Sequence, residues 1–251
     1  CEEAGILHIP WMRGTLKAAA DNPEADGKRM VWKNGVVDDL WSPNSDEFWE
    51  WTTDLILDYA QIGAEMPALF GVFLDYENYA KGPNCYALSY DDIIMSAFAE
   101  EQQIDLPELT PGERKGWLEE QQLHEQFDAF QVAHWRERCR TLREAVDEID
   151  PEFQFCIYPA PGTKFMREAA FPEWTSEDAP VIWADASTYG RKTSFLPQSG
   201  ALDQGRRGLT ARMESVDEFG LPYLYTGGID PVVSGADPEY SGKNAVMISA
   251  I

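Results

Sequence analysis

The stretch from Gly71 to Tyr79 holds the residues of this chain best suited to chemistry, because an apolar run leads directly into two carboxylates and two tyrosines. Side chains two apart on a β-strand share a face, so we expect Asp75 and Glu77 to point the same way and Tyr76 the opposite way. Repulsion between two such acids favours the protonated form of one of them, which can then donate a proton. The pattern predicts acid/base chemistry; the structural alternative is that Asp75 caps the next turn and Glu77 is solvated.

Several catalytic motifs are absent from the sequence. It contains no G-x-S-x-G, G-x-G-x-x-G, P-loop or H-E-x-x-H pattern, which are typical of α/β-hydrolases, dinucleotide enzymes, nucleotide hydrolases and zincins. The three histidines and four cysteines have no metal-binding spacing, so we expect neither a metal nor another cofactor. The cysteines are expected to be buried thiols, with a disulfide between Cys139 and either Cys85 or Cys156 as the alternative.

What remains are carboxylates and aromatic rings, and these suit the cleavage of glycosidic bonds. That reaction needs one carboxyl group that protonates the leaving oxygen and a second carboxylate that acts as nucleophile, base or electrostatic stabiliser. We expect Glu77 to be the general acid/base, Asp75 to orient it and Asp185 to be the second carboxylate, with Asp230 in reserve. Aromatic faces stack on sugar rings. The candidate substrate-binding residues, each of which alone is more often a packing residue, are His8, Trp11, Tyr79, Tyr158, Trp183, Tyr189, Tyr225 and Asp230.

The overall charge restricts the partners. Twenty basic and 44 acidic residues give a formal net charge of -24, which disfavours nucleic acids and anionic membrane surfaces. No apolar stretch approaches the ~18 residues that a membrane span requires, and no leading basic-then-apolar segment resembles a secretion signal. We therefore expect an oligosaccharide or polysaccharide substrate, and a secreted or periplasmic location would suit it. The oligomeric state is left open.

Short apolar runs predict the strands that must position these residues. They fall at residues 6–9, 71–75, 153–158, 180–184 and 221–226, and residues 29–37 form a predicted hairpin with a type I′ turn at Asn34-Gly35. Trp32 of this hairpin is expected to lean over the site. Polar and aromatic residues follow nearly every strand, and His8 is expected at the carboxyl end of the first one.

Helical periodicity and capping patterns fill the intervals between the strands. We expect helices at 45–63, from about Ser89 with Asp92 completing a capping box, at 110–149 and at about 202–219. The third begins with a capping box formed by Thr110 and Glu113. It is longer than a barrel helix needs, so we expect a kink or a projecting first half.

Regular alternation of strands and helices predicts an α/β fold with a parallel sheet. We favour a (β/α)8 TIM barrel over an open doubly wound sheet, because the candidate site residues collect at the carboxyl ends of the strands. Only about five of the eight strands that a barrel needs are visible. We therefore expect residues 1–251 to be a single (β/α) barrel catalytic domain truncated at both ends, with a long hairpin-bearing loop after its first visible strand.

The run Phe73-Leu74-Asp75-Tyr76-Glu77 resembles the D-x-E ending of the fourth strand in chitinase-type TIM-barrel glycoside hydrolases. In that family the glutamate is the proton donor and the aspartate orients it, which implies these roles for Glu77 and Asp75. The resemblance covers this strand end and the barrel layout. Phe73 stands where the chitinase pattern has a further aspartate. The chain is therefore similar to a glycoside-hydrolase-like barrel rather than to a chitinase proper.

Two alternatives remain at this stage. A non-catalytic carbohydrate-binding or scaffold barrel would keep the aromatic cleft without a second working carboxylate. A metal-dependent barrel hydrolase would use the acids as ligands, and carboxylate oxygens suit Mg²⁺ or Ca²⁺ better than zinc. The scarcity of histidines places this option last.

Overall fold

A computed structural model of the chain describes residues 2–76, 87–158, 164–185, 210–211 and 213–227. Within these segments the strands are β1 (Trp11–Arg13), β2 (Arg29–Val31), β3 (Val37–Trp41), β4 (Gly71–Asp75), β5 (Gln154–Ile157), β6 (Val181–Asp185) and β7 (Tyr223–Gly227). The helices are α1 (Asp46–Glu65), α2 (Asp92–Gln102), α3 (Arg114–Glu120), α4 (His124–Asp147) and α5 (Phe171–Trp174). A π-helical stretch (Phe165–Ala170) leads into α5, and short 3₁₀ turns cover Glu2–Ala4 and Pro23–Ala25.

Five of the strands form one parallel sheet in the order β1-β4-β5-β6-β7, which is also their order along the chain. Strands β2 and β3 pair separately as an antiparallel hairpin. Helical segments lie between each pair of successive strands of this sheet, because parallel neighbours need a crossover connection. The protein therefore has an α/β fold, as the sequence predicts, with a five-stranded parallel sheet that alternates with helices.

The helices that contact the sheet in the described segments pack on one of its faces. Val72, Leu74, Phe155 and Ile157 on that face are fully buried. The ring of Trp174 in α5 stacks on Phe155 with 4.7 Å between ring centroids. The opposite face is less covered: it carries Trp11, which is 57% exposed, and Leu224, which is 51% exposed. Cys156 and Ile182 on this second face are nevertheless buried.

Helix α1 shows why the predicted helix forms. The Ser45 hydroxyl oxygen accepts a hydrogen bond from the Phe48 backbone N–H, and the acidic residues of the first turn favour the positive end of the helix dipole. The buried residues of the helix recur every three or four positions and face the core: they are Phe48, Trp49, Thr52, Ile56, Ala60 and Gly63.

A buried polar network fastens four elements together around Asp91. One Asp91 carboxylate oxygen accepts hydrogen bonds from the Ser42 hydroxyl at 2.5 Å and from the Asn44 amide at 2.9 Å. The other oxygen accepts from the Ile94 backbone N–H and so caps α2. The Trp135 indole of α4 donates to the Asn44 side-chain oxygen at 2.7 Å. Asp91 thus connects the end of the hairpin, the start of α1, the start of α2 and α4.

The first strand of the sheet lies further along the chain than predicted. Strand β1 begins at Trp11, whereas residues 6–9 contribute only an isolated bridge between His8 and Leu69. Pro10 separates the two pieces, and a proline has no backbone N–H to donate to a ladder. Its carbonyl still accepts from the Phe73 N–H at 2.8 Å.

The hairpin is present, but its turn and its tryptophan differ from the prediction. A type I′ turn needs positive φ at both central residues, and within the turn only Gly35 has it, at 80°. The Gly35 N–H donates to the Trp32 carbonyl and the Trp32 N–H to the Val36 carbonyl, as in a type I turn followed by a left-handed glycine. Trp32 is buried and donates its indole N–H to Asp38, so it lies in the core and not over the site.

The later helices match the prediction in part. The cap of α2 is Asp91 and not a Ser89–Asp92 box; the Ser89 hydroxyl oxygen instead accepts the Val31 N–H. Glu113 does accept hydrogen bonds from the Thr110 N–H and hydroxyl. The long helix is interrupted at residues 121–123, where Gln122 has a φ of 59°, so α3 and α4 are separate. In place of the predicted kink or projecting first half there is a break between two helices, and the first of them begins at Arg114 rather than at residue 110.

The other elements lie near their predicted positions. Strands β5, β6 and β7 differ from the predicted boundaries by one or two residues. Of the residues expected to form a helix at about 202–219, the structure describes 210–211 and 213–219: residues 210–211 and 213–217 are helical, and 218–219 form a turn. Cys139 and Cys156 are buried free thiols, so neither forms a disulfide. Burial raises the pKa of both thiols, that of Cys156 to about 12. Cys1 and Cys85 lie outside the described residues.

The Asp91 network gives the first testable prediction. In Asp91→Asn one carboxylate oxygen becomes an NH2 group, which in either orientation of the amide faces a donor, the Asn44 amide or the Ile94 N–H. A hydrogen bond is thus replaced by two opposed donors. We expect the free energy of unfolding to fall by about 2 kcal/mol or more. Asp105→Asn is the matched control, because Asp105 is exposed and makes no side-chain hydrogen bond with a described residue. Chemical denaturation of both variants measures the difference, and equal stabilities would contradict the role given to Asp91.

Candidate functional site

Asp75 ends β4 at the carboxyl edge of the sheet, with β1 on one side and β5 on the other. The Gly14 backbone N–H donates to the Asp75 carbonyl at 2.8 Å, and the Tyr158 N–H donates to the Leu74 carbonyl at 3.3 Å. These backbone bonds bring the ends of three strands to the same level. The half-buried Tyr158 therefore lies next to Asp75 along the edge.

The side chain of Asp75 is held by a tryptophan from the neighbouring strand. The indole N–H of Trp11 donates to Asp75 Oδ2 at 3.1 Å. Trp11 is the register partner of Phe73, so Trp11, Phe73 and Asp75 share the less covered face of the sheet. A carboxylate and an exposed aromatic ring thus lie side by side on this face, an arrangement that suits the recognition of a polar ring compound such as a sugar.

Tyr76 points to the opposite face, as predicted from the alternation of the strand. It is buried, with its ring centroid 5.1 Å from that of Phe165 and 6.2 Å from that of Phe48. A Cβ atom on Gly14 would lie 2.1 Å from the Tyr76 ring, so only glycine fits at this position. The backbone beneath Asp75 is therefore fixed by core packing. Glu77 and Tyr79 lie outside the described residues.

The backbone of Asp185, the second candidate carboxylate, lies at the carboxyl edge of the sheet. Asp185 ends β6, where its backbone pairs with Gly227 of β7. Strand β6 is two positions from β4, which corresponds to about 10 Å between the strand axes. Position 185 is two residues from Trp183, the register partner of Ile157, so in the alternation of the strand it belongs to the face opposite that of Asp75. The side chain of Asp185 is not described, and Tyr189 and Asp230 lie outside the described residues.

His8 lies at the other end of the sheet. Its backbone bridges to Leu69, which precedes Asp75 by six residues. At ~3.3 Å per residue this separation is about 20 Å along the strand. His8 is exposed there. The structure therefore does not bring His8 to the edge that carries Asp75, and the prediction that it ends a strand is wrong.

Trp183 and Tyr225 lie on the face of the sheet that packs against helices. They are register partners in β6 and β7. Trp183 is buried, and its ring makes an edge contact with Phe171 at 5.1 Å between centroids. Tyr225 is half-buried and packs against the same core. Both residues are therefore placed opposite the face of Asp75 and Trp11.

Arg13 is a residue of this edge that the sequence reasoning missed. It is the register partner of Asp75 and is exposed at the end of β1. The first strand predicted from the sequence ends at residue 9, which places Arg13 in a loop. The three residues of β1 are too few to show an alternation that would identify the strand from the sequence.

A second polar cluster, also missed, joins α4 to the segments that follow β4 and β5. The Tyr90 hydroxyl lies 3.2 Å from His124 Nε2, and Lys164 Nζ donates to Asp128 Oδ2 at 2.9 Å. His124 Nδ1 lies 3.9 Å from the other Asp128 oxygen. Burial is the main cause that raises the pKa of Tyr90. The cluster stabilises the packing of α4 near the carboxyl side of the sheet.

Comparisons with known proteins do not assign the chain to a family. No protein-family model matches the chain, and no curated protein does. Among the residues that the structure describes, no three or more His, Cys, Asp or Glu side chains are grouped so that they could hold a metal ion. No helix in the described ranges is long and apolar enough to cross a membrane.

Gly14 gives a testable prediction about the support of the site. Gly14→Ala forces the Tyr76 ring to move, and we expect a loss of about 1–3 kcal/mol in the free energy of unfolding, as for other overpacked cores. Gly116→Ala is the matched control: an added Cβ meets nothing within 4 Å at this position in α3. That control should be stabilised by about 0.4–1 kcal/mol. Thermal unfolding followed by circular dichroism measures both, and a neutral Gly14→Ala would contradict the contact.

Proposed function

We propose that this chain is a glycoside-hydrolase-like enzyme that cleaves glycosidic bonds by carboxylate acid/base catalysis. The observation that carries the proposal is the position of Asp75, whose carboxylate lies at the carboxyl edge of the sheet and accepts a hydrogen bond from the exposed Trp11. In parallel α/β folds this edge is where ligands bind. The substrate would be an oligosaccharide or polysaccharide, and no cofactor takes part.

We also propose that the sheet belongs to a (β/α)8 TIM barrel to which residues 1–251 contribute as one domain. In a doubly wound sheet the strand order reverses and helices cover both faces. Here the strand order follows the chain, and the helices that touch the sheet in the described segments pack on one face. The other face carries Phe73, Cys156 and Ile182, which suits the packed interior of a barrel.

The proposed mechanism divides the acidic residues by role. Glu77 follows Asp75 by two positions and donates a proton to the leaving oxygen. Asp75, oriented by the Trp11 indole, positions Glu77 and favours its protonated form through charge repulsion. We assign the role of nucleophile or stabiliser to Asp185, the last residue of β6, with Asp230 as the reserve. A separation of ~5 Å between the carboxyl groups of Glu77 and Asp185 would mean retention, and ~6.5–9.5 Å inversion.

Aromatic side chains near the edge would hold the sugar. Trp11 offers an exposed ring beside Asp75, and Tyr158 lies on the next strand. A flat indole face covers the apolar side of a pyranose, while its N–H remains engaged with the carboxylate. Tyr79 and Tyr189 are further candidates from the sequence.

Substitution of the two acids tests the proposal. Glu77→Gln should lower kcat by about 10²–10⁴-fold on any glycan that the wild-type protein cleaves, because it removes the proton donor. Asp75→Asn should also lower kcat, and the melting temperature should stay nearly unchanged for Glu77→Gln. Release of reducing sugar from a panel of polysaccharides and aryl glycosides measures the activity, with Asp105→Asn as the control for loss of an exposed acid.

Three other outcomes of these measurements would contradict the proposed role of Glu77 or favour a different function. Full activity of Glu77→Gln would remove Glu77 from the role of acid. Glycan binding by the wild-type protein without turnover would favour the non-catalytic carbohydrate-binding barrel. Activity that is lost on chelation and restored by Mg²⁺ or Ca²⁺ would favour a metal-dependent hydrolase.

A further inference from the structure

Arg13 occupies a fixed position beside the candidate catalytic carboxylate. It is the register partner of Asp75 on the neighbouring strand, about 4.8 Å away across the ladder. The backbone on either side is tied down, because the Phe73 N–H donates to the Pro10 carbonyl and the Gly14 N–H to the Asp75 carbonyl, both at 2.8 Å. Arg13 and Trp11 are two residues apart, so their side chains leave the same face.

The guanidinium of Arg13 is unusual among the described arginines. It is exposed and makes no hydrogen bond or ion pair with any described residue, although the chain carries 44 acidic residues. The seven other arginines whose side chains the structure describes donate to carboxylates or backbone carbonyls: they are Arg29, Arg114, Arg136, Arg138, Arg140, Arg143 and Arg167. Five donors in a planar fork are therefore available at the candidate site.

We infer that Arg13 binds a carboxylate group of the substrate, so that the preferred substrates are glycans that contain uronic acids. The inference rests on the proposed function and specifies its substrate class. A guanidinium binds a carboxylate through two parallel charge-assisted hydrogen bonds. Trp11 provides the ring face for the sugar, and its Cα lies about 6.7 Å from that of Arg13 along the strand. A single hexuronic acid residue can contact both side chains over such a distance.

The overall negative charge does not oppose this assignment at close range. A net charge of -24 repels anions far from the surface, but the Debye length is about 8 Å at physiological ionic strength. Inside that distance the nearest groups dominate. Asp75 is one of them, and an unpaired arginine beside it offsets its charge for an incoming carboxylate.

The test compares matched neutral and acidic substrates. The wild-type full chain is assayed on 4-nitrophenyl α- and β-hexosides and on the corresponding hexuronides, in parallel with Arg13→Gln, Arg13→Lys and Lys17→Gln. Lys17 is exposed and four residues away, so its variant controls for loss of one positive charge. We expect a lower KM for hexuronides in the wild type, a rise of about tenfold or more in that KM for Arg13→Gln, and partial rescue by Arg13→Lys. In Arg13→Gln the KM for hexosides should change less than about twofold. In Lys17→Gln the KM for both substrate types should also change less than about twofold.

Other outcomes separate this inference from the proposed function. Cleavage of hexosides with no preference for hexuronides, or an unchanged KM in Arg13→Gln, overturns the inference and leaves the glycosidase proposal standing. An equal fall of kcat on both substrate types also overturns it, because Arg13 would then act through Asp75. If the wild type cleaves neither type, calorimetric titration with oligogalacturonate and oligoglucuronate decides: binding that Arg13→Gln abolishes supports the subsite while the glycosidase proposal fails. Absence of binding overturns both.

Discussion

The register of β1 against β4 is the constraint on which both the core and the candidate site depend. Two backbone hydrogen bonds, from Phe73 to Pro10 and from Gly14 to Asp75, set it. In this register Met12 points into the core, whereas Trp11 and Arg13 point to the side of Asp75. A slip of one residue would exchange the faces. It would expose Met12 and bury a charged guanidinium, so the packing that stabilises the fold also fixes the chemistry of the edge.

Packing behind the edge is unusually rich in aromatic rings. Tyr76 is enclosed by Phe48 of α1 and Phe165 of the π-helical stretch, and it leaves room only for a glycine at position 14. Because protein interiors are close-packed, this contact fixes the backbone of Asp75 relative to the core. The Asp91 network adds a second fixed point, since it ties the hairpin to α1, α2 and α4. The edge is thus supported by elements far apart in the chain.

The sequence predicts elements whose signals are long or strongly periodic. Helix α1 and strand β4 lie where expected, because a capped apolar stripe and an uninterrupted apolar run each admit one interpretation. Strand β1 has three residues and follows a proline, so local composition alone could not place it. Asp91 and Asp92 are both plausible caps in sequence, and only the hydrogen-bond partners of the folded chain select the first. Local signals therefore decide the fold class, while tertiary contacts decide the details.

For the candidate site, the opposite directions of Asp75 and Tyr76 could be predicted from the sequence. Which other side chains lie beside Asp75 at the carboxyl edge of the sheet could not. Trp183 was assigned to the rim because it stands close to the end of its strand, yet side-chain direction depends on register parity with Asp75. Arg13 was missed for the related reason that its strand was misplaced. The register between neighbouring strands decides which of their residues share a face, and it is set by hydrogen bonds between segments distant in the chain. The sequence of one segment alone does not contain this information.

The exposure of Trp11 has a consequence for spectroscopy. The other eight tryptophans are buried or half-buried, and Trp11 alone is more than half exposed. An uncharged collisional quencher such as acrylamide therefore reaches this indole before the others. The candidate site carries its own fluorescent reporter, and the fraction of emission that the quencher removes would follow any molecule that covers the ring.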